Sequence, residues 1–266
     1  MSIVEKENPE WKIEELENIL AGSVKKCLSG IEKEDIAISL SGGLDSSLLT
    51  ALAKKNFPDT KIITLTLGAK GNPDFLFAKK VAEILKTDHH EYIPSQEEIN
   101  KAKAEMAEKG LLPQHLVESL TYGFANSLGI KKIISAEGGD ELFGGYWWHQ
   151  KSRPRYAEKY GKSQKEAFEK SWSEILYGHL LDYQKSSQAY GIELRFPFLQ
   201  REGIEYVSHI PLEDRCTLSK ERHPDQKERK KPERSIALKY LPEEIVYRKK
   251  RGFPDAILPE VEAEEY

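Results

Sequence analysis

A turn rich in glycine and serine, placed directly after an apolar stretch, constrains this chain more than any other feature. Residues 36–40 are apolar or small, and they lead into the run Ser41-Gly42-Gly43-Leu44-Asp45-Ser46. Adjacent glycines allow the backbone to approach a ligand closely and to adopt positive φ angles. A helix beginning near Leu44 would point free backbone N–H groups and the positive end of its dipole at an anion. The pattern therefore predicts a strand, a phosphate-binding turn and a helix.

Asp45 stands where a carboxylate would repel a phosphate group. Its presence is explained if a divalent cation lies between them, so we predict that Asp45 binds Mg²⁺. An ordinary strand, turn and capped helix is the alternative, but it does not account for the glycine pair together with both serines. The chain contains neither Gly-x-x-x-x-Gly-Lys-[Ser/Thr] nor a Gly-x-Gly-x-x-Gly turn after a strand. The predicted phosphate site is therefore of another class.

Three further motifs follow in order along the chain. The full set is Ser41-Gly42-Gly43-Leu44-Asp45-Ser46, Ser135-Ala136-Glu137-Gly138-Gly139-Asp140-Glu141, Tyr190-Gly191-Ile192-Glu193 and Arg248-Lys249-Lys250-Arg251-Gly252-Phe253. In this order they resemble the synthetase domain of the asparagine synthetase B family, a branch of the ATP pyrophosphatase superfamily. The resemblance spans roughly residues 30 to 255 and also includes the stretch from 68 to 91.

This resemblance implies an enzyme that uses ATP and Mg²⁺ to adenylate a carboxylate, with aspartate as the default acid, and then amidates it with ammonia. It implies that Asp45 and Asp140 hold Mg²⁺ against pyrophosphate, and that Lys250 stabilises the adenylation transition state. Glu137 would help to bind the acceptor and would take a proton from the attacking ammonia. Asp182 would be the counterpart of an aspartate in the family's acid pocket.

The residues expected to contact the nucleotide lie in these turns and at the ends of the predicted strands. They are Leu40, Ser41, Gly42, Gly43, Leu44, Asp45, Ser46, Leu67, Ser135, Ala136 and Gly138. The charged segment 218–234 is predicted to be a mobile, exposed loop that closes over ATP, with Lys230, Lys231 or Arg234 reaching phosphate. A solvated linker is the alternative for this segment.

The acceptor pocket is expected to differ from that of the family. Family members usually carry Glu-Thr-Tyr-Asp upstream of the second motif. An alignment without gaps, counted back from Gly129, places residues 105–108 of this chain at that position, and these residues lack the family sequence. Gln200 stands where the family has aspartate after Pro-Phe-Leu. These departures leave the acid open, with free aspartate as the default and another acid as the alternative.

Helix and strand patterns alternate through the first part of the chain, as a parallel sheet covered by helices requires. The predicted strands are 36–40, 61–67, 89–93 and 132–135, and the predicted helices between them are 44–56, 74–86, 97–109 and 114–129. We therefore predict an α/β fold, and the resemblance implies a doubly wound parallel five-stranded sheet in the order 3-2-1-4-5. The domains would be an N-terminal helix in 1–35, the α/β core in 36–150 and a C-terminal helical lobe in 151–266.

Composition excludes several classes of protein. The N-terminal residues lack the apolar core of a signal peptide, and no apolar run is long enough to span a membrane, so we expect a cytoplasmic protein. Cys27 and Cys216 lack the spacing of a metal site, and we expect no disulfide. The net charge of −4 argues against a nucleic-acid partner. The oligomeric state stays open, with a homodimer as one alternative.

The nitrogen source is expected to lie outside the chain. Glutamine-using members begin with a glutaminase domain whose nucleophile is Cys after the initiator Met, whereas this chain has Ser2 and about 35 residues before its first strand. We therefore expect free ammonia, or a separate glutaminase subunit, to supply nitrogen. Alternative functions are a β-lactam synthetase-like ligase, an adenylase acting on a tRNA base or in sulfur transfer, and a non-catalytic nucleotide-binding subunit.

Overall fold

The computed structural model describes residues 2–4, 8, 10–29, 36–150, 162–219 and 225–249. At its centre lies a parallel sheet of five strands in the order β3-β2-β1-β4-β5. The strands are β1 Ile36–Ser39, β2 Ile63–Leu67, β3 Asp88–Tyr92, β4 Lys132–Ile134 and β5 Glu193–Arg195. The predicted α/β class and the strand order 3-2-1-4-5 are confirmed.

Helices connect the strands and cover both faces of the sheet. They are α1 Ile13–Leu28, α2 Leu44–Asn56, α3 Pro73–Leu85, α4 Gln96–Glu108, α5 Leu116–Ser127, α6 Gly139–Phe143, α7 Gln164–Glu174, α8 Leu180–Ala189, α9 Arg201–Ser208, α10 Leu212–Arg215, α11 Lys231–Ala237 and α12 Glu243–Val246. A π-helical segment, Ile175–His179, joins α7 to α8. Among the described residues, no helix has the length and apolar character needed to cross a lipid bilayer.

Strand β1 lies at the centre of the sheet and is buried from both sides. Successive side chains of a strand point to opposite faces. Ile38 packs with Leu48 of α2 in the larger apolar cluster, whereas Ala37 packs with Tyr122 of α5 in a cluster on the other face. This arrangement explains why β1 has an apolar run in place of an alternating pattern.

The direction of winding reverses between β1 and β4. These two strands are neighbours in the sheet, although β2 and β3 lie between them in the chain. Ala37 pairs with Ile63 of β2 on one side and with Ile133 of β4 on the other. Open parallel sheets bind ligands at such a reversal, outside the carboxyl ends of the strands. The turn before α2 and the turn before α6 therefore lie side by side.

Strand β5 comes from a part of the chain where the sequence predicted only helices. Its three residues pair with β4, and Ile134 lies opposite Arg195. The sheet is thus completed from within the range 151–266 that we assigned to a helical lobe. The predicted boundary at residue 150 does not separate the sheet from the helices that follow it.

Candidate functional site

A cavity of about 500 Å³ opens at the carboxyl ends of β1, β4 and β5. It brings together most of the residues that the sequence analysis selected from two separate turns. Those that line it are Ser41, Gly43, Leu44, Asp45, Ser46, Ser135, Ala136, Glu137, Gly138 and Asp140. The two motifs therefore form one site, although nearly a hundred residues separate them in the chain.

The turn before α2 is held in shape by its own serines. The Ser41 backbone N–H donates to Ser46 Oγ at 3.2 Å, and the Gly43 N–H donates to Ser41 Oγ at 3.3 Å. The first backbone bond within the helix runs from Ser47 N–H to the Gly43 carbonyl, so α2 begins with N–H groups that have no partner in the helix. These groups face the cavity beside Asp45 and form a site suited to an anion.

Gly42 has a structural role in this turn. Its φ is +69°, and an added Cβ would lie 2.7 Å from the carbonyl carbon of Phe77 in α3. The position therefore requires glycine because the turn packs against α3. Gly42 does not line the cavity, so the structure does not place this predicted nucleotide contact at the site.

Lys230 lies between the two aspartates that were predicted to bind Mg²⁺. It is 4% exposed, and its ammonium contacts Asp45 and lies 2.6 Å from Asp140 Oδ1. Burial opposes the charge of Lys230, but the carboxylates of Asp140 and Asp45 outweigh it and raise the pKa of the ammonium group. The described structure thus holds a positive charge at the point where the two carboxylates converge.

This arrangement fits the chemistry of a magnesium site completed by a nucleotide. Protein Mg²⁺ sites commonly use one or two carboxylates together with substrate phosphates. Asp45 and Asp140 supply two carboxylates that already face one cation, beside the free N–H groups of α2. Within the described part of the chain, no cluster of three or more acidic, histidine or cysteine side chains could hold a metal ion alone. The carboxylates of Asp45 and Asp140 fit Mg²⁺ that is shared with a phosphate.

Glu233, in the first turn of α11, is fully buried beside this pair. Its Oε2 lies 3.7 Å from Lys230 Nζ. Burial, together with the nearby negative charge of Asp45, raises the pKa of Glu233 well above its usual value. Glu233 therefore lies behind the contact of Lys230 with Asp45 and Asp140, in a position that disfavours a further negative charge.

Further cations come from the same C-terminal segment. Arg229, Arg234, Arg248 and Lys249 line the cavity. Arg248 donates from Nη1 to the Ser41 carbonyl at 2.9 Å, pairs with Asp74 and lies over the Phe77 ring at 4.4 Å. It therefore fastens the turn before α2 to the start of α3. Lys250, the predicted transition-state residue, lies outside the described residues.

The segment 218–234, predicted to be an exposed loop, is exposed at its described start but mostly buried over residues 229–234. Residues 220–224 lie outside the described residues, but Arg229, Lys230, Glu233 and Arg234 are each less than 10% exposed. Arg229 donates to the Gly145 carbonyl at 3.0 Å. The expectation of exposure is wrong for Arg229, Lys230, Glu233 and Arg234, whose side chains lie inside the protein.

One wall of the cavity is acidic and aromatic. Glu137 lines it, and burial together with the charges of Glu141 and Glu118 raises its pKa to about 8. A carboxylate whose pKa lies near neutral pH can accept a proton from a substrate and release it again. Glu137 therefore lies in the cavity as a carboxyl group that ionises less readily than a free glutamate.

Three predicted contacts lie away from the cavity. Leu40 is fully buried in the core, and Leu67 packs in the apolar cluster that contains Met106. The Asp182 carboxylate lies 3.6 Å from His115 Nε2 and does not line the cavity. Asp182 therefore lies beside His115 and outside the cavity lining, whereas Leu40 follows β1 and Leu67 ends β2, and both pack in the apolar core.

Sequence reasoning missed most of the acidic and aromatic wall of the cavity. Counting back without gaps pointed to residues 105–108, but these lie on α4, and α5 supplies Glu118, Thr121 and Tyr122 to the cavity. Tyr183 on α8 completes this wall. A signal was present, because Glu118 and Thr121 are polar residues within the apolar pattern of the predicted helix 114–129.

Comparison with known proteins agrees with this geometry. The asparagine synthase family model matches residues 15–172 and 154–265. The chain is 31% identical over 237 residues to an asparagine synthetase (glutamine-hydrolyzing) of Zea mays, covering 83% of this chain and 39% of that protein. It is 29% identical over 283 residues to asparagine synthetase (glutamine-hydrolyzing) 2 of Oryza sativa subsp. japonica, covering 94% and 45%. The chain thus spans less than half the length of these relatives.

Similarity to solved structures is weaker. An NH3-dependent NAD synthetase from Campylobacter jejuni shares 16% identity with a TM-score of 0.38, covering 51% of this chain and 61% of that one. A likeness at this level supports no inference about the site. The family model covers nearly the whole chain, and the chain therefore belongs to the asparagine synthase family.

Proposed function

We propose that this chain is an ATP-dependent ligase that adenylates a carboxylic acid and converts it into an amide. A carboxylate oxygen of the acid attacks the α-phosphorus of ATP, the bond to the β-phosphate breaks, and pyrophosphate leaves. Ammonia then attacks the acyl carbon, loses a proton, and displaces AMP. The observation that carries the proposal is the convergence of Asp45, Lys230 and Asp140 beside a phosphate-binding turn, in the cavity that also contains Glu137.

The groups around the phosphate-binding turn suit the first step, in which the acid is adenylated and pyrophosphate leaves. The N–H groups that begin α2 and the ammonium of Lys230 would bind the leaving phosphates and stabilise their growing negative charge. Mg²⁺, held by Asp45 and Asp140, would neutralise charge on the same oxygens. Arg248 keeps the turn in place through its bond to the Ser41 carbonyl.

The acidic wall of the cavity suits the second step, in which ammonia attacks the acyl carbon. Ammonia becomes positively charged as it attacks a carbonyl carbon, so a base must remove a proton before the amide is stable. Glu137 lies in the cavity with its pKa raised to about 8, and its ionised form would accept that proton. Aspartate is the default acid, and asparagine the default product, because the curated relatives are named asparagine synthetases. Free ammonia or a separate glutaminase subunit would supply the nitrogen.

The test is the release of pyrophosphate and AMP from Mg·ATP. The assay would use aspartate and a panel of other acids, with ammonium, glutamine or no added nitrogen compound as the donor. Asp45→Asn should reduce release at least about 100-fold, because it removes a charge from the phosphate site. Asp59→Asn, at an exposed turn, is the matched control and should be unchanged. Absence of AMP with every acid, or equal rates in both variants, would refute the proposal.

A further inference from the structure

Lys230 makes ion pairs with both of the carboxylates that suit a divalent cation. Its Nζ contacts Asp45 Oδ1 and lies 2.6 Å from Asp140 Oδ1, so one oxygen of each carboxylate faces the same positive charge. Mg²⁺ binds oxygen ligands at short distances and in a nearly ideal geometry, so it would need oxygens of these same two carboxylates. The ammonium group and a metal ion therefore compete for one pair of aspartates.

Close packing confines both carboxylates and the lysine. The Lys230 side chain and the Asp140 carboxylate lie against Gly145, where an added Cβ would overlap Asp140 Oδ1 and Lys230 Cε. Asp45 lies against Gly139, whose added Cβ would be 3.1 Å from Asp45 Cγ. Two cations in so small a space would repel each other, because a site inside a protein screens charges less than water does. We therefore expect the two aspartates to hold one cation at a time.

The backbone of Lys230 adopts a conformation that is uncommon for lysine. Its φ is +53° and its ψ is 37°, in the left-handed region, at the residue that precedes α11. The Lys230 N–H donates to the carbonyl of Phe143 at the end of α6, and the Lys230 carbonyl accepts from the Arg234 N–H in α11. Residues other than glycine stay in this region only where the surrounding structure fixes them, and such residues are concentrated at functional sites. This strain is an observation independent of the ion pairs, and it also indicates a functional role for Lys230.

A phosphate group would give the ammonium of Lys230 an alternative partner. The turn that begins α2 lines the cavity together with Lys230, and its free N–H groups suit an anion, so a phosphate bound there would lie close to the ammonium. Lysine carries its charge on a flexible stem, so the ammonium can move from the carboxylates to a phosphate. Phosphates also supply the further oxygens that Mg²⁺ usually takes from a substrate. A nucleotide thus meets the needs of both cations, whereas a metal ion alone meets neither.

We propose that Lys230 excludes a divalent cation from Asp45 and Asp140 until a nucleotide draws its ammonium group to the phosphates, so that metal enters the site only together with the nucleotide. This inference rests on the proposed function for the presence of an ATP site. It extends that function by giving the order in which the site is filled. Before that step, Lys230 is the cation that holds the two carboxylates together.

Binding of Mn²⁺ tests this exclusion without any turnover. Mn²⁺ takes the same oxygen ligands as Mg²⁺, and electron paramagnetic resonance measures its free concentration. Without nucleotide, wild type and Asp45→Asn should bind Mn²⁺ equally weakly, because Asp45 is occupied by the ammonium. Binding by wild type that Asp45→Asn abolishes would overturn the inference.

Substitutions of Lys230 test the same point in the opposite direction. Lys230→Met keeps a long side chain without the charge and should bind Mn²⁺ at least about 10-fold more tightly than wild type; Lys230→Gln is a second neutral variant in case the first does not fold. Lys230→Arg keeps the charge and should bind as weakly as wild type. Lys239→Met removes a lysine paired with Glu17 outside the cavity lining and is the matched control. Equal binding by wild type and the folded neutral variant would overturn the inference.

A titration with a non-hydrolysable ATP analogue separates this inference from the proposed function. With the analogue present, wild type should hold Mn²⁺ in a protein-bound complex, detected by faster relaxation of water protons, and Asp45→Asn should hold at least about 10-fold less. Failure of wild type to bind Mn²⁺ with the analogue would refute the proposed function, on which the inference rests. Binding of Mn²⁺ to Asp45 both with and without the analogue would refute the exclusion by Lys230 and leave the proposed function intact.

Discussion

Replacing Glu137 by glutamine should stabilise the protein at alkaline pH while abolishing amide formation. The pKa of Glu137 is raised from 4.5 to about 8, because it is buried in the cavity and lies near Glu141 and Glu118. Below pH 4.5 the carboxyl is protonated in both the folded and the unfolded chain, so it does not affect stability. As pH rises towards 8 the unfolded chain ionises first, and the free energy of unfolding falls.

The size of this change in unfolding free energy follows from the two pKa values of Glu137, 4.5 in the unfolded chain and about 8 in the folded protein. Each pH unit between them costs about 1.4 kcal/mol, and the full shift corresponds to on the order of 5 kcal/mol. Water in the cavity reaches part of the side chain, so a difference of about 2–4 kcal/mol between wild type and Glu137→Gln is expected above pH 8.

Urea unfolding at half-unit steps from pH 5 to pH 8.5 would measure this difference. The wild-type curve should fall relative to the Glu137→Gln curve over that range, whereas Glu108→Gln should run parallel to wild type. Amide formation by the wild type should rise as pH passes through about 8, because the ionised form accepts the proton. Parallel pH profiles for wild type and Glu137→Gln would refute the argument that Glu137 is held protonated.

Three other substitutions test separate parts of the site. Gly42→Ala should lower the unfolding free energy by at least about 2 kcal/mol in urea titrations, because it combines a positive φ with overlap on Phe77; an unchanged midpoint would contradict this. Gly145→Ala should slow pyrophosphate release at least about 10-fold with little change in far-UV circular dichroism, since its Cβ would overlap the Asp140 carboxylate and the Lys230 side chain and displace them; normal release would contradict the role of the contact between Asp140 and Lys230. Arg248→Lys should raise the KM for ATP more than it lowers kcat, because lysine cannot bridge two acceptors as a planar guanidinium does; a change in kcat alone would argue against a positioning role.

The central part of the fold could be predicted from sequence because local and global signals agree there. Helix 44–56 was predicted with the bounds that the structure gives to α2, since the glycine pair marks its start and the buried β1 precedes it. Strand β5 could not be found in this way. Its residues Glu193–Arg195 are mostly polar and few, and only pairing with β4 makes them a strand.

The candidate site was predicted where a motif is continuous and missed where it depends on packing. Asp45 and Asp140 follow glycine turns, so their position at one edge of a parallel sheet can be derived from the chain alone. Lys230 and Arg234 were predicted to reach phosphate, but they lie in a run of charges that is typical of exposed loops, so their burial was not predicted. Glu118 was missed because the alignment without gaps, counted back from Gly129, selected residues 105–108 on α4, whereas Glu118 lies on α5.

The late position of β5 has a consequence for how the protein forms during translation. Roughly sixty residues separate β4 from β5, and a ribosome adding about 5–20 residues per second needs about 3–12 s to synthesise them. Throughout that interval the outer edge of β4 lacks its partner and presents unpaired backbone groups, which is the geometry that favours association with other chains. A pause in synthesis between α6 and β5 should therefore lower the yield of native protein, and chaperones that shield strand edges should restore it.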